Sequence, residues 1–217
     1  MARTRRAPGR PRAAELSVPT DARIIQAAVP LFMELGYRTV TMDGVAAAAG
    51  VTKATIYYHF PDKPAVFVAT ARHMFSRART SIEQVMARPE PLAPRLLAAA
   101  RIVLSLPHPF TRFDSMLHDA LSDLSPEQTE EVRRYQQSVT DVIEQAFLNA
   151  ADRGEIRGPD PIFVAHAFIA LLRLGQARDS LGTPLFQNTD ATASLLVDML
   201  WNGIAARPPV SDEPPGG

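Results

Sequence analysis

From Thr20 onward, apolar residues recur at spacings of three and four, the period of an amphipathic helix rather than a strand. The first predicted helix carries Ile24, Ala28, Leu31, Phe32 and Leu35 on one face, with Thr20 as its N-cap and Gly36 suited to the C′ position. Pro30 inside it lacks a backbone donor and costs about 3 kcal/mol relative to alanine, which predicts a kink or a late start. A second helix opens at Thr41, with Asp43 in its first turn, runs through Met42, Val45, Ala46 and Ala49, and stops at Gly50. Thr52 caps a third, Lys53 to Tyr58. Pro61 and Asp62 open a long fourth helix whose apolar face is Phe67, Ala71, Met74, Phe75, Ala78, Ile82 and Val85, ended by Pro89. Its length of about 26 residues makes a rod of roughly 40 Å.

The helical pattern continues to the end of the chain. Pro91 to Leu106 is a fifth helix, stopped by Pro107, His108 and Pro109, and Phe110 to Leu121 a sixth. Ser125, Pro126 and Gln128 spell a capping box with proline at the first helical position, followed by Val132, Tyr135, Val139, Val142, Ala146 and Phe147 on one face until Gly154. Asp160 to Leu181 and Asn188 to Ile204 close the series. No stretch alternates with period two for long enough to be a strand, and no internal repeat is visible. The predicted fold is all-α, with about nine helices. A three-helix headpiece at residues 19–65 is joined by the long fourth helix to a larger helical part at 66–206. A disordered basic arm at 1–18 precedes them and a flexible tail at 207–217 follows.

Composition narrows the function classes. Apolar residues make up 46% and charged residues 21%, ordinary globular values, and cysteine is absent. Disulfides, thiol catalysis and cysteine metal sites are thereby excluded. The longest nearly apolar run, Phe163 to Leu172, is about half the ~20 residues of a membrane span, and the N-terminus lacks the apolar stretch of a signal peptide. A cytoplasmic protein without a membrane partner is expected. The net charge of zero hides an asymmetry, since the first 80 residues hold 12 of the 23 Lys+Arg but only 5 of the 23 Asp+Glu. Five of those basic residues fall between Arg3 and Arg12, where Pro8–Arg12 resembles the core of an AT-hook. Arg5, Arg6, Arg10 and Arg12 are therefore candidates for a minor-groove arm, and a solvated tail is the alternative.

The chemistry concentrates in residues 41–60. A helix of about eight residues, a tight turn at Gly50 and a short second helix fit a helix-turn-helix, in which the second helix enters the major groove N-terminus first. Small or polar residues must stand there, and Thr52, Lys53, Ala54 and Thr55 qualify. Lys53 can donate to guanine or phosphate, and Thr55 can meet a base edge or a thymine methyl. Tyr57, Tyr58 and His59 can donate to phosphates, and Val45, Val51 and Ile56 can hold the two helices together. The plainer reading is a pair of core helices with incidental aromatics.

Residues 36 to 67, "GYRTVTMDGVAAAAGVTKATIYYHFPDKPAVF", resemble the DNA-binding signature of the TetR family of bacterial transcriptional regulators. The match runs through Gly36–Tyr37, Thr41, Val45–Ala46, Ala49–Val51, Thr52, Thr55–Tyr57, His59–Phe60 and Lys63. With the first helix it covers about 45 residues, the first third of the chain being all the motif reaches. The resemblance implies base-facing positions at Lys53, Ala54 and Thr55 and a DNA-contacting Tyr57. It implies phosphate contacts at Thr41, Tyr58, His59 and Lys63, and Phe60 buried between the headpiece and the fourth helix. Gly44 and Ala46–Ala49 depart from the pattern by making the second helix smoother and less charged. That would shift binding toward the arm.

The resemblance also implies a larger domain that binds a small molecule and dimerises through its last two helices. Candidate seam residues are Phe163, Ala167, Ala170, Leu171 and Leu174 on one helix and Leu195, Leu196, Met199 and Leu200 on the other, with an intramolecular core as the alternative. Candidate pocket residues are Phe110, Phe113, Met116, Leu117, His118, Tyr135 and Phe147, joined by Arg173 and Gln176; plain core packing is the alternative. Asp114 and His118 stand four apart but are read as a surface contact, and no metal or cofactor is expected. The chain carries no phosphate-binding glycine loop, HExxH or nucleophile elbow, so no enzymatic activity is expected. The expectation is a homodimeric repressor released from near-palindromic operator DNA by an unknown small-molecule effector. An activator of the same fold, or a helical enzyme or interaction protein without DNA binding, is the alternative.

Overall fold

The computed structural model describes residues 18–108 and 110–204. Nine helices run in order among them: α1 (Thr20–Leu35), α2 (Met42–Ala49), α3 (Lys53–His59), α4 (Lys63–Met86), α5 (Leu92–Leu104), α6 (Phe110–Ala120), α7 (Pro126–Asp152), α8 (Pro161–Gly175) and α9 (Thr189–Ile204). No strand occurs among the described residues; an isolated bridge pairs Arg178 with Pro184.

Local chemistry explains most boundaries. Thr41, Thr52 and Asp62 each accept a hydrogen bond from the N–H three residues on, at 3.1, 3.1 and 2.8 Å, and so start α2, α3 and α4. The Ser125–Gln128 capping box is complete at the start of α7. Two expectations are corrected. Thr20 is the first residue of α1 rather than its cap; Pro19 stands at the cap position and no side chain caps the helix. α8 stops at Gly175, six residues before the expected end at Leu181. A Cβ on Gly175 would lie 2.7 Å from the Leu104 Cδ2 and 2.8 Å from the Leu196 Cδ1, so α5, α8 and α9 meet where any larger residue would displace both leucine side chains. Beyond it, the Asp179 carboxylate accepts from the N–H groups of Leu181 and Thr183, a side-chain turn that competes with helix. Pro30 lies within a continuous α1, on an exposed position where water can satisfy the carbonyl it leaves unpaired.

Buried apolar residues form two clusters. The first joins α1–α4 to the second half of the chain: Phe32, Tyr37, Val45, Ile56 and Phe67 pack with Phe113, Met116 and Ala120 of α6 and with Val132 of α7. The second holds Ile82–Met86 of α4, Leu92–Val103 of α5, Ile143–Ala150 of α7, Val164–Leu172 of α8 and Ala193 and Val197 of α9. α4 and α7 thread both clusters. The boundary expected at residue 65 falls in the first turns of α4, and packing continues across it without a linker.

Candidate nucleic-acid interface

α3 is short, and its position depends on three devices. Gly50 closes α2 in the left-handed conformation at φ 64°, which a residue with a Cβ adopts only with strain. The Arg23 guanidinium of α1 donates to the carbonyls of Ala49 and Gly50 at 2.8 and 3.4 Å and so pins the turn from outside. Ile56, fully buried, anchors α3 to Val45 and the rest of the first cluster. With one residue of the helix committed inward, its remaining side chains face outward.

The candidate contact residues are brought together by this arrangement. Lys53 and Ala54 are exposed at the first turn, Thr55 is half-buried beside them, and Tyr57, Tyr58 and His59 are exposed further along. Tyr58 is 85% exposed, an unusual position for an aromatic ring unless it meets a partner. Its ring contacts that of His59 edge-on at 5.3 Å. The hydroxyls of Thr52 and Thr55 lie 2.8 Å apart, so each already has a partner at the helix start. Thr41 is exposed at the start of α2. Lys63 is half-buried, with its ammonium 4.3 Å from the Tyr37 ring centroid and donating to the Arg38 carbonyl at 3.4 Å. Phe60 packs partly buried against the first cluster. Lys53 has the most particular setting: its ammonium donates to the Asp43 carboxylate at 3.1 Å and lies 5.9 Å from the Tyr57 ring centroid. The bond to Asp43 raises its pKa, so the ammonium stays charged. Arg5, Arg6, Arg10 and Arg12 lie outside the described residues.

The candidate pocket residues are not gathered around one cavity. Phe113 and Met116 are buried in the first cluster and Leu117 packs against it, whereas Phe147 is buried in the second. Phe113 stacks on Phe67 at 5.9 Å and meets Phe75 edge-on at 4.8 Å. His118 is exposed, and the Tyr135 hydroxyl donates to Glu131 at 3.0 Å. Arg173 pairs with Asp114, and Gln176 donates to the Val103 carbonyl at 2.8 Å. The side chain of Phe110 lies outside the description. Other residues line the open clefts. One of about 560 Å³ lies among Met33, Glu34, His108, Arg112, Ser115 and Arg178, and one of about 400 Å³ lies between α4 and α7. Among the described residues no group of three or more His, Asp or Glu could hold a metal ion.

The candidate seam divides by helix face. Phe163, Leu174, Leu195 and Met199 are exposed at 67, 48, 54 and 59%, a large apolar display for one end of a molecule. Ala170 is exposed as well, and Ala167 and Leu171 are half-buried. Leu196 is corrected: it is buried against Gly175 within its own chain, and Leu200 packs partly on the second cluster.

Contacts that join headpiece and α6 escaped the sequence reading. Arg112 donates to the carbonyls of Met33 and Glu34 at 2.9 and 2.7 Å, closing the end of α1. The Tyr37 hydroxyl donates to Asp123 at 3.1 Å, and Arg38 pairs with Asp119 at 3.0 Å. Burial, then the Asp123 carboxylate, push the Tyr37 hydroxyl well above its ordinary pKa, so it remains a donor. The partners are separated by nearly 80 or more residues, and no local signal marks them.

Residues 24–70 match the family model described as "Bacterial regulatory proteins, tetR family". A stretch of 53 residues is 36% identical to the biofilm operon icaADBC HTH-type negative transcriptional regulator IcaR of Staphylococcus aureus strain Newman, covering 24% of this chain and 28% of that one. The match therefore spans little more than a quarter of that relative's length. The fold is similar to that of a putative TetR-family regulator from Mesorhizobium loti, with a TM-score of 0.70 at 21% identity over 86% of this chain and 97% of the other. It is also similar to that of AibR, solved with isovaleryl coenzyme A and operator DNA, with a TM-score of 0.61 at 24% identity over 83% of this chain and 97% of the other. The headpiece thus matches the TetR family of bacterial regulatory proteins, and the fold around it is similar along most of its length to structures of that kind.

Proposed function

We propose that the chain is a homodimeric transcriptional repressor that binds operator DNA through α3 and releases it when a small molecule is bound. The observation that carries this reading is the outward row on α3. Lys53, Ala54, Thr55, Tyr57, Tyr58 and His59 surround one buried anchor, Ile56, behind a turn held by Gly50 and Arg23. Such a row offers small groups and a cation at the N-terminus for base edges and aromatic donors further along for phosphates. Thr41 and Lys63 flank it as further phosphate donors. IcaR, similar over the headpiece, is a negative regulator by its name, and AibR was solved with both operator DNA and an acyl thioester. These support repression and ligand response here.

Two copies would pair through the exposed apolar face of α8 and α9, giving recognition helices that meet half-sites about one helical turn, ~34 Å, or a multiple of it apart. The effector would act by changing how α6 and α4 hold the headpiece, because both enter the first cluster. Selection of bound sequences from random duplexes tests the reading. An inverted repeat is expected, with affinity falling steeply as salt rises. Thr55→Ala should relax the sequence preference, and Lys63→Ala should weaken all duplexes alike. Recovery of no preferred sequence, or salt-independent binding, would refute it.

A further inference from the structure

Lys53 is the one lysine or arginine within α3, and it is not left to itself. Its ammonium bonds the Asp43 carboxylate across the turn, at 3.1 Å, tying the first turn of α2 to the first residue of α3. Both side chains are largely in solvent, at 68 and 63% exposed, so the contact does nothing for the core. On physical grounds its placement matters for what approaches. A lysine on a free four-carbon stem is a mobile point charge that can meet any phosphate in reach, and every duplex offers phosphates. The first turn of α2 is also where free N–H groups and the helix dipole would draw an anion, but Asp43 already brings a carboxylate there.

We infer that Asp43 is a specificity-determining residue: by holding Lys53 it lowers affinity for DNA in general and directs that ammonium toward a base acceptor. The inference rests on α3 being the DNA-reading helix. An ammonium has three donors, so Lys53 can keep its bond to Asp43 and still donate to an acceptor on a base edge, such as guanine O6 or N7. To reach a phosphate off that line it must leave Asp43, and the carboxylate then faces the phosphate backbone unpaired. Correct sites are thereby spared a cost that other sites bear. The residue contributes by withholding an interaction rather than making one.

The test compares the full chain with Asp43→Asn, Asp43→Glu, Lys53→Met and the double variant Asp43→Asn/Lys53→Met. Each is titrated against the selected inverted repeat and a scrambled duplex of equal composition, at several salt concentrations. Removing the hold should let Lys53 take one more phosphate, so Asp43→Asn should bind the scrambled duplex about threefold or more tighter at low salt, with a log–log salt slope steeper by ~0.9. The gain on the selected site should be smaller, so the preference falls. Asp43→Glu keeps a carboxylate within reach of Lys53 and should retain the preference. In the Lys53→Met background the Asp43→Asn change should leave the preference unaltered. Equal tightening on both duplexes, or an effect of Asp43→Asn that persists without Lys53, would show general charge removal and overturn the inference. If the unmodified chain binds neither duplex, the DNA-binding reading fails as well; if it prefers the repeat but Asp43→Asn leaves the preference intact, this inference alone fails.

Discussion

The two apolar clusters are built from similar residues but are closed differently. The first spans α1–α4, α6 and part of α7, and it is fastened by polar bonds between distant segments: Arg112 to the end of α1, Tyr37 to Asp123, and Arg38 to Asp119. The second has polar bonds of its own, Gln176 to the Val103 carbonyl, Arg101 to Asp190 and His166 to Glu144, but leaves an apolar face of α8 and α9 uncovered. The difference separates two kinds of task. A junction secured by directional hydrogen bonds has defined positions and can hold a headpiece at one angle. A face of exposed Phe, Leu and Met specifies burial and little about orientation until a partner supplies the other half.

Four experiments break or sharpen that contrast. The largest effect is expected at Phe113, whose ring stacks on Phe67 and meets Phe75 edge-on where α6 packs on α4 in the first cluster; Phe113→Ala should cost about 3–5 kcal/mol in urea unfolding. Phe147→Ala should cost a similar amount in the second cluster, yet only Phe113→Ala should weaken operator binding by the molecules that remain folded. Equal effects of both on binding would mean that α6 does not set the headpiece angle. Next comes the α9 pair. Leu196→Ala should cost about 2–5 kcal/mol because its side chain is buried, whereas Met199→Glu should leave the fold intact and abolish self-association in sedimentation. A dimer that survives Met199→Glu would place the seam elsewhere.

Smaller effects are expected at the polar fastenings. Arg112→Ala removes charge-assisted bonds to two carbonyls and should destabilise by about 1.5–3 kcal/mol in thermal or chemical melts. Tyr37→Phe keeps the ring stacked on Phe32 at 6.0 Å and loses one bond, about 1 kcal/mol at neutral pH. Because burial and Asp123 raise the folded-state pKa of Tyr37, its contribution is fully present below the unfolded value of about 10 and is lost as pH climbs above it. Alkaline titration of stability should therefore be flatter in Tyr37→Phe than in the unmodified chain above that point. Identical alkaline limbs would show that the hydroxyl is not held as described.

The candidate interface was legible because its construction is local. Thr41 and Thr52 bond N–H groups three residues away, and Gly50 ends α2 in a conformation that glycine favours, so spacing alone reveals them. The pocket candidates were harder to place, since aromatic residues at helical spacing suit a cavity lining and a packed core equally. Phe113 and Phe147 turned out to belong to different clusters. α9 posed a related problem: Leu195, Leu196, Val197, Met199 and Leu200 leave almost no polar side, and periodicity cannot say which of two apolar faces turns inward. Gly175 decides it, by letting Leu196 approach the α8 backbone.

The sequence by itself determined the helical order, the caps of α2, α3 and α7, the helix-turn-helix and the family likeness, because each depends on residues within a few positions of one another and on the 3.6-residue period. Only the tertiary structure decided that the headpiece shares its core with α6, that Leu196 turns inward while Leu195 and Met199 do not, and that Asp43 holds Lys53. Those outcomes depend on which surfaces meet after the chain folds back on itself, and a contact between Tyr37 and Asp123 leaves no trace in the spacing of either residue's neighbours.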